Sequence, residues 1–327
     1  MTDAVKEPPV GIAHFSAIQL PPQQFVRHAA VAGFNSVGLR LHPAFPGAPY
    51  YELPQGSRDA MEFRTLLDSE GINVFDIEFF IIGPDFNAAL VEHIVAAAAD
   101  IGAKRLSACG DDGDLQRLIG NLTEFCQLAA RYGLAVDVEN MGWRTINTYS
   151  KAGALVTASG QDNAGVLVDA IHFFRNGGNI DEIKTDIVRH VQLCDVVGPA
   201  PKRPENMMTE ARAGRLAPGD GILGLSQLLN KVAGHATISV EVPLVGDIDP
   251  LVHLTTLNMK SRKILRRVAE QFKEAFVGLP LPRSAAPLID PCGAKVSVAR
   301  HRALWLAVRS PRQITSICFG SGFGQSN

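Results

Sequence analysis

Three short apolar runs in this chain each end in a carboxylate: LAVDVEN closes on Glu139, AGVLVDA on Asp169 and TISVEVP on Glu241. A carboxylate at the end of a buried β-branched run is costly unless a cation or hydrogen-bond donors face it. Each one alone reads equally well as a surface group or as the partner of a nearby arginine. Three of them brought to one place repel one another, and a hard divalent ion with oxygen ligands removes both costs. Such an ion polarises carbonyl and hydroxyl oxygens and stabilises an enediolate. The chemistry that follows is proton abstraction next to a carbonyl.

What must position these residues is a repeated strand and helix. The apolar runs are VGIAHF from Val10, SVGLRL from Ser36, NVFDIEFF from Asn73, KRLSAC from Lys104, LAVDVEN from Leu134, AGVLVDA from Ala164, HVQLCDV from His190 and TISVEVP from Thr237. They carry little polar alternation, as parallel strands buried on both faces do. Between them the pattern predicts a helix opened by Pro21-Pro22 and stopped at Gly33. Further helices are predicted at about 57–70, 86–101, 114–132, 149–160, 180–188, 222–233 and 250–276, several closed by glycine. Eight such units predict an α/β fold, a (β/α)8 TIM barrel over residues 1–278. A doubly wound sheet would want a GxGxxG turn after the first strand, and none is present. In a barrel the C-terminal strand ends face one mouth, so Glu139, Asp169 and Glu241 are expected within about 5 Å of a common point.

Residues 279–327 stand outside the repeats, with proline breaks, many arginines and no clean period. They are expected to form an irregular C-terminal extension: an appended arm, a partner-binding strap or a poorly ordered tail. The run RALWLAV within it could form a short helix that docks on the barrel.

Hydrophobic residues make up 46% and charged residues 20% of the 327, which excludes a disordered chain. The formal net charge is -2, from 31 basic and 33 acidic residues, so nothing favours nucleic acid or an anionic membrane as partner. The apolar run at Ile94 is too short to span a membrane, and MTDAVKEPPVG has no signal core. Five scattered cysteines without a CxxC pair fit a reducing, cytoplasmic compartment. A homo-oligomer is left open.

The order VDVEN, VLVDAIH, HVQLCD, a Pro-Gly-Asp-Gly turn and SVEVP resembles the xylose-isomerase-like barrel superfamily over about residues 10–275. That superfamily includes sugar epimerases, inosose dehydratases, 3-dehydroshikimate dehydratases and apurinic-site endonucleases. The resemblance implies one Mn²⁺, Mg²⁺ or Co²⁺ held by Glu139, Asp169, Gln192 and Glu241. Strand seven departs from the usual HxH: it reads His190-Val191-Gln192. An amide oxygen shifts preference from zinc towards Mg²⁺ or Mn²⁺ and is reminiscent of bacterial dehydroshikimate dehydratases. The alternative for Gln192 is a hydrogen-bonding neighbour of the ion. The resemblance also directs His172, three residues after Asp169, into the site as acid/base or substrate contact, where an ordinary imidazole pKa suits proton transfer. Its alternative is a capping or packing histidine. His190 is expected to orient a ligand or to support its strand.

Four further residues are candidates for substrate binding: His14 at the end of strand one, Arg40 on strand two, Glu78 on strand three and Arg212. Glu78 binds substrate hydroxyls or pairs with Arg40. Arg212 lies with Glu210 and Arg215 in a long connection after strand seven, Val196 to Gly221, and such a length usually covers a site. Its arginines suit an anionic substrate or enediolate; the bland reading is a surface turn with solvated charges. Trp143 and Phe173 wall the pocket or pack the core.

The function expected is a metal-dependent isomerase or epimerase of carbohydrate metabolism. It would act on a small polyhydroxy or keto-acid substrate, with Glu139, Glu241 or His172 moving the proton. A dehydratase (a lyase of the 3-dehydroshikimate or inosose type) shares the same intermediate, so the ligand set does not separate the two. A non-catalytic barrel subunit is the third reading. The abasic-site nuclease of this fold wants three zinc ions and extra histidines that this chain does not supply.

Overall fold

The computed structural model of the chain describes residues 8–277. The strands are β1 (Val10–Ile12), β2 (Ser36–Leu39), β3 (Asn73–Ile82), β4 (Arg105–Gly110), β5 (Ala135–Glu139), β6 (Ala164–Asp169), β7 (Val188–Leu193) and β8 (Thr237–Val240). The helices are α1 (Pro22–Ala32), α2 (Arg58–Glu70), α3 (Glu92–Asp100), α4 (Leu115–Arg131), α5 (Tyr149–Ser159), α6 (Ala170–Arg175), α7 (Pro204–Ala213), α8 (Leu225–Val232) and α9 (Pro250–Val277). Every strand runs parallel to the next, and β1 pairs with both β2 and β8, closing an eight-stranded barrel. The TIM barrel expected from the alternation is therefore the fold. No helix of the described residues is long and apolar enough to cross a membrane.

Local sequence explains the boundaries. Ser57, Asp114 and Thr148 each accept a hydrogen bond from a backbone N–H in the first turn of α2, α4 and α5. Gly33 and Gly71 end α1 and α2 in left-handed conformation, at φ 89° and 65°, which a side chain would strain. The layer between sheet and helices is apolar, with Phe25, Phe63 and Phe125 fully buried.

Two stretches differ from expectation. The helix expected at about 180–188 is a single 3-10 turn, Ile180–Glu182, and β7 starts at Val188, two residues before His190. The backbone N–H of Lys184 donates to the Tyr149 hydroxyl at 2.8 Å instead of to a helical carbonyl. Conversely, the connection after β7 carries α7, with Pro204 at its first position, where a missing N–H costs nothing. The C-terminal extension, its RALWLAV run and Cys292 and Cys318 lie outside the described residues. Cys109, Cys126 and Cys194 are buried and free.

The barrel interior is polar. Asp76, Ser107, Asp137, His190 and Ser239 are all buried in it. Arg105 Nη1 donates to both oxygens of Asp137 at 3.0 Å, and Ser107 Oγ donates to Asp76 Oδ2 at 2.5 Å. Room for these groups comes from a glycine on a facing strand. A Cβ at Gly38 would stand 2.8 Å from Glu78 Oε1 and closer still to Asp76 Oδ1.

Candidate metal centre and pocket

Glu139 and Asp169 are the last residues of β5 and β6, and Glu241 follows the last residue of β8. The parallel ladder sets their depth. Glu139 lies opposite Leu167, two residues before Asp169; Asp169 lies opposite Gln192; and Gln192 lies opposite Ser239, two residues before Glu241. The Glu241 N–H donates to the Leu193 carbonyl at 3.0 Å, which extends β8 pairing to the carboxylate itself.

One ligand atom each from Glu139, Asp169 and His172 falls within 4.8 Å of the others, and all three residues are buried. His172 Nε2 lies 3.8 Å from Glu139 Oε1. Glu241 lies outside that set, on the far side of Arg215 from Asp169. Arg215 Nη1 donates to Asp169 Oδ2 at 2.6 Å and its Nη2 lies 2.9 Å from Glu241 Oε2, so a guanidinium stands between two of the carboxylates. Asp169 Oδ1 accepts the Ile171 N–H at 2.9 Å and so caps α6, whose first turn brings His172 to the site. Arg215 is itself anchored: Nε donates to the Ala211 carbonyl at 2.8 Å. An antiparallel bridge between Asp195 and Leu216 pins the chain beside it. Asp195 therefore serves the loop: its carboxylate accepts from the N–H groups of Val196, Gly219 and Leu223.

Burial dominates the electrostatics. It raises Glu139 well above the usual carboxylate range, helped by the charges of Asp169 and Glu241. It pushes Glu241 up to about 8, with Arg215 opposing. It lowers His172 to about 4, against the charge of Asp169. His172 is therefore a neutral imidazole at pH 7, not the half-titrated one expected from its type.

A pocket opens over this cluster. Glu139, His172, Gln192, Arg215 and Glu241 line one wall; Arg40, Glu78 and Ser107 line another. Phe15, Phe45, Phe79 and Trp143 supply aromatic surface, and Arg144 and Arg212 complete the lining. The Trp143 ring meets His172 edge-on, 5.0 Å between centroids. Arg40 Nε lies 3.5 Å from Glu78 Oε2, and its guanidinium sits 4.4 Å over Phe15. Neither Arg40 Nε nor either Glu78 oxygen has a hydrogen-bond partner, although both residues are buried. Arg212 is exposed on the last turn of α7 and reaches the pocket by sitting 4.5 Å over Phe45.

Four residues named from the sequence sit elsewhere. His14 is fully buried outside the pocket lining, its Nε2 on the Leu20 carbonyl at 2.8 Å and its ring stacked on Phe25. Phe173 is core, packed on Tyr149 and Phe174. His190 lies below the site, Nε2 at 2.7 Å from Ser239 Oγ. Glu210 pairs with Arg175 at 2.6 Å and holds α7 against α6. The sequence put Arg215 with Arg212 in a connection that covers the site; its pairing with Asp169 and Glu241 depends on the turn after α7.

A closed parallel barrel with an acidic cluster at the C-terminal strand ends is an enzyme-type scaffold. The family described as xylose isomerase-like TIM barrel matches residues 26–267, and the chain belongs to it. An inosose isomerase of Halalkalibacterium halodurans is 31% identical over 126 residues, which is 37% of this chain and 44% of that protein. The chain thus matches less than half the length of that relative. Among solved structures, the IOLI protein with a bound zinc atom superposes with a TM-score of 0.66 at 15% identity, over 80% of this chain and 99% of that one. An L-ribulose 3-epimerase does so with 0.64 at 13% identity, over 84% and 99%. These two likenesses are ones of fold.

Proposed function

We propose that the protein is a divalent-metal-dependent isomerase or epimerase acting on a sugar or polyhydroxy ketone. The observation that carries this reading is the buried Glu139–Asp169–His172 cluster at the barrel mouth, with Glu241 and Gln192 on the adjoining strands. The donor set fits a hard cation: carboxylate oxygens in excess, an amide oxygen, and no thiolate among the pocket-lining residues. Glu139, Asp169, Gln192 and Glu241 would hold the ion, Mn²⁺ or Mg²⁺ by donor type. Bound there, it would supply Lewis-acid polarisation of a substrate carbonyl.

The chain's own residues do the rest. Glu139 and Glu241 flank the pocket from β5 and from the residue after β8, and either one, ionised, suits acceptance of a proton from a carbon next to a carbonyl. Neutral His172 can donate one hydrogen bond and accept another, which suits a substrate hydroxyl. Trp143 and Phe15 exclude water from the reacting face. Likeness to inosose isomerases supports a polyhydroxy ketone as substrate class. A dehydratase is the second reading, favoured by Gln192 in place of the usual histidine.

The test is proton exchange in D₂O, followed by NMR on keto-sugars, inososes and 3-dehydroshikimate with Mn²⁺ present. Deuterium uptake that stops with EDTA and returns with Mn²⁺ or Mg²⁺ is the expected result. Full exchange after exhaustive chelation, with no metal detected, overturns the reading. Loss of water from the substrate instead of exchange selects the dehydratase.

A further inference from the structure

Four guanidinium groups line the pocket: Arg40, Arg144, Arg212 and Arg215. Three of them face carboxylates. Arg215 lies between Asp169 and Glu241. Arg144 Nη1 donates to Asp111 Oδ2 at 2.5 Å. Arg40 stands 3.5 Å from Glu78. Arg212 has no carboxylate partner among the described residues and is held by the face of Phe45 alone. A ring face holds a cation without using its N–H donors, so all five remain available to an acceptor.

The acids at the metal centre do not change this. Glu139, Asp169 and Glu241 carry three negative charges when ionised, and a divalent ion together with Arg215 offsets them. With a neutral sugar bound, Arg212 would then stay unmatched in a pocket whose other charges are answered. Arg212 is exposed at the mouth, and a cation without a carboxylate partner at the rim of an aromatic-walled pocket favours an anion.

We propose that the substrate of this enzyme carries one carboxylate, and that Arg212 on α7 is the residue that binds it. The proposal rests on the metal-dependent reading above and names its substrate class: a polyhydroxy or keto acid in place of a neutral sugar. The rest of the ligand has a complementary place. Arg40 Nε and Glu78 Oε2 are buried on the pocket wall 3.5 Å apart, without a close hydrogen bond between them, so a hydroxyl that accepts from one and donates to the other bridges them. A single charge is indicated because one guanidinium, not two, is left over. Arg212 and Phe45 come from the connections after β7 and after β2, which meet over the mouth, so an anion at Arg212 sits at the rim with its hydroxyls directed inward.

Calorimetry on the Mn²⁺-loaded protein tests this with matched ligands: quinate against myo-inositol, gluconate against sorbitol, and inositol monophosphate as the phosphate arm. The acid of each pair is expected to bind at least about tenfold tighter than its neutral partner, or roughly 1.4 kcal/mol. Arg212→Gln should remove that preference and leave the neutral ligands unchanged, and Arg212→Lys should restore part of it. No preference for acids across the panel, no binding by any acid, equal weakening of acids and neutrals in Arg212→Gln, or tightest binding by the phosphate ester each overturns it. The exchange experiment separates the two readings. Exchange on neutral keto-sugars with no acid preference keeps the isomerase and removes the carboxylate. Acid preference without exchange on any ligand does the reverse.

Discussion

Arg215 Nη1 donates to Asp169 Oδ2 at 2.6 Å, while Nη2 of the same guanidinium lies 2.9 Å from Glu241 Oε2. A side chain from the connection after β7 thus supplies positive charge to the two acids that a divalent ion would also hold. Removing it leaves both carboxylates buried without that charge, which costs about 3 kcal/mol in the metal-free protein. It also removes a competitor of the ion. Arg215→Gln should therefore be markedly less stable than wild type in EDTA and gain more from Mn²⁺. The check is denaturant unfolding with and without Mn²⁺. An Mn²⁺-induced gain no larger in the variant than in wild type contradicts a shared site.

Glu241 and His190 lie on neighbouring strands, yet only Glu241 lines the pocket. His190 sits a layer below, on Ser239 at 2.7 Å. Glu241→Gln removes a metal oxygen and a proton acceptor at once and should lower kcat at least about a hundredfold. His190→Gln keeps a hydrogen bond to Ser239 within reach and should cost less than about tenfold. Steady-state kinetics on the exchange-active substrate decides, and a larger effect at His190 would move the chemistry below the mouth.

How much of this was legible beforehand divides along physical lines. Glu139, Asp169 and Glu241 were readable because a carboxylate ending a buried apolar strand breaks a strong local pattern, and parallel pairing fixes where strand ends go. The pairing of Arg215 with Asp169 and Glu241 and the Arg212–Phe45 contact were not. They depend on how a long connection folds back, and its sequence carries proline and glycine but no period. His14 misled for a related reason: β1 ends at Ile12 and a 3-10 turn follows, which rotates the ring onto Leu20 and Phe25. The polar floor of Asp76, Ser107 and His190 left one trace in the sequence, Gly38 inside β2, whose missing side chain makes room for Asp76.

Asp76 is buried in that floor with Oδ1 unpartnered, and burial pushes its carboxyl up to about 7. The groups facing it are Ser107, His190, Glu78, Asp137, Glu241 and Arg105. The folded protein therefore holds a proton that the unfolded chain releases near pH 4. Stability from this group is full below about pH 4, falls as pH rises and levels off above about pH 7. Asp76→Asn does not titrate. Its stability relative to wild type should rise between pH 5 and pH 8 by roughly 2–3 kcal/mol, whatever its offset at pH 5. Urea unfolding at the two pH values, both in EDTA, measures the difference. A difference that is flat or falls with pH means that Asp76 is ionised throughout.

Gly38 ties the floor to the pocket. It lies on β2, and a Cβ there would stand 2.8 Å from Glu78 Oε1, nearer to Asp76 Oδ1 and 3.1 Å from the Phe75 ring. Its backbone is not in the left-handed region, so an alanine meets no conformational penalty, only crowding. The crowded atoms are held. Asp76 is fixed by Ser107 at 2.5 Å, and Glu78 is buried beside Arg40. Gly38→Ala should then cost about 1–3 kcal/mol of stability from overpacking. It should also displace Glu78 towards the pocket and weaken polyhydroxy ligands, while Mn²⁺ affinity stays within about threefold because the proposed metal ligands lie on β5, β6, β7 and after β8, none of them paired with β2. Calorimetry with myo-inositol and with Mn²⁺ on the same preparation reads both. Equal loss of ligand and metal binding would mean that the barrel as a whole has shifted; unchanged binding of both, with full stability, would mean that Glu78 has room to move and that its unpartnered oxygens are not held for a ligand.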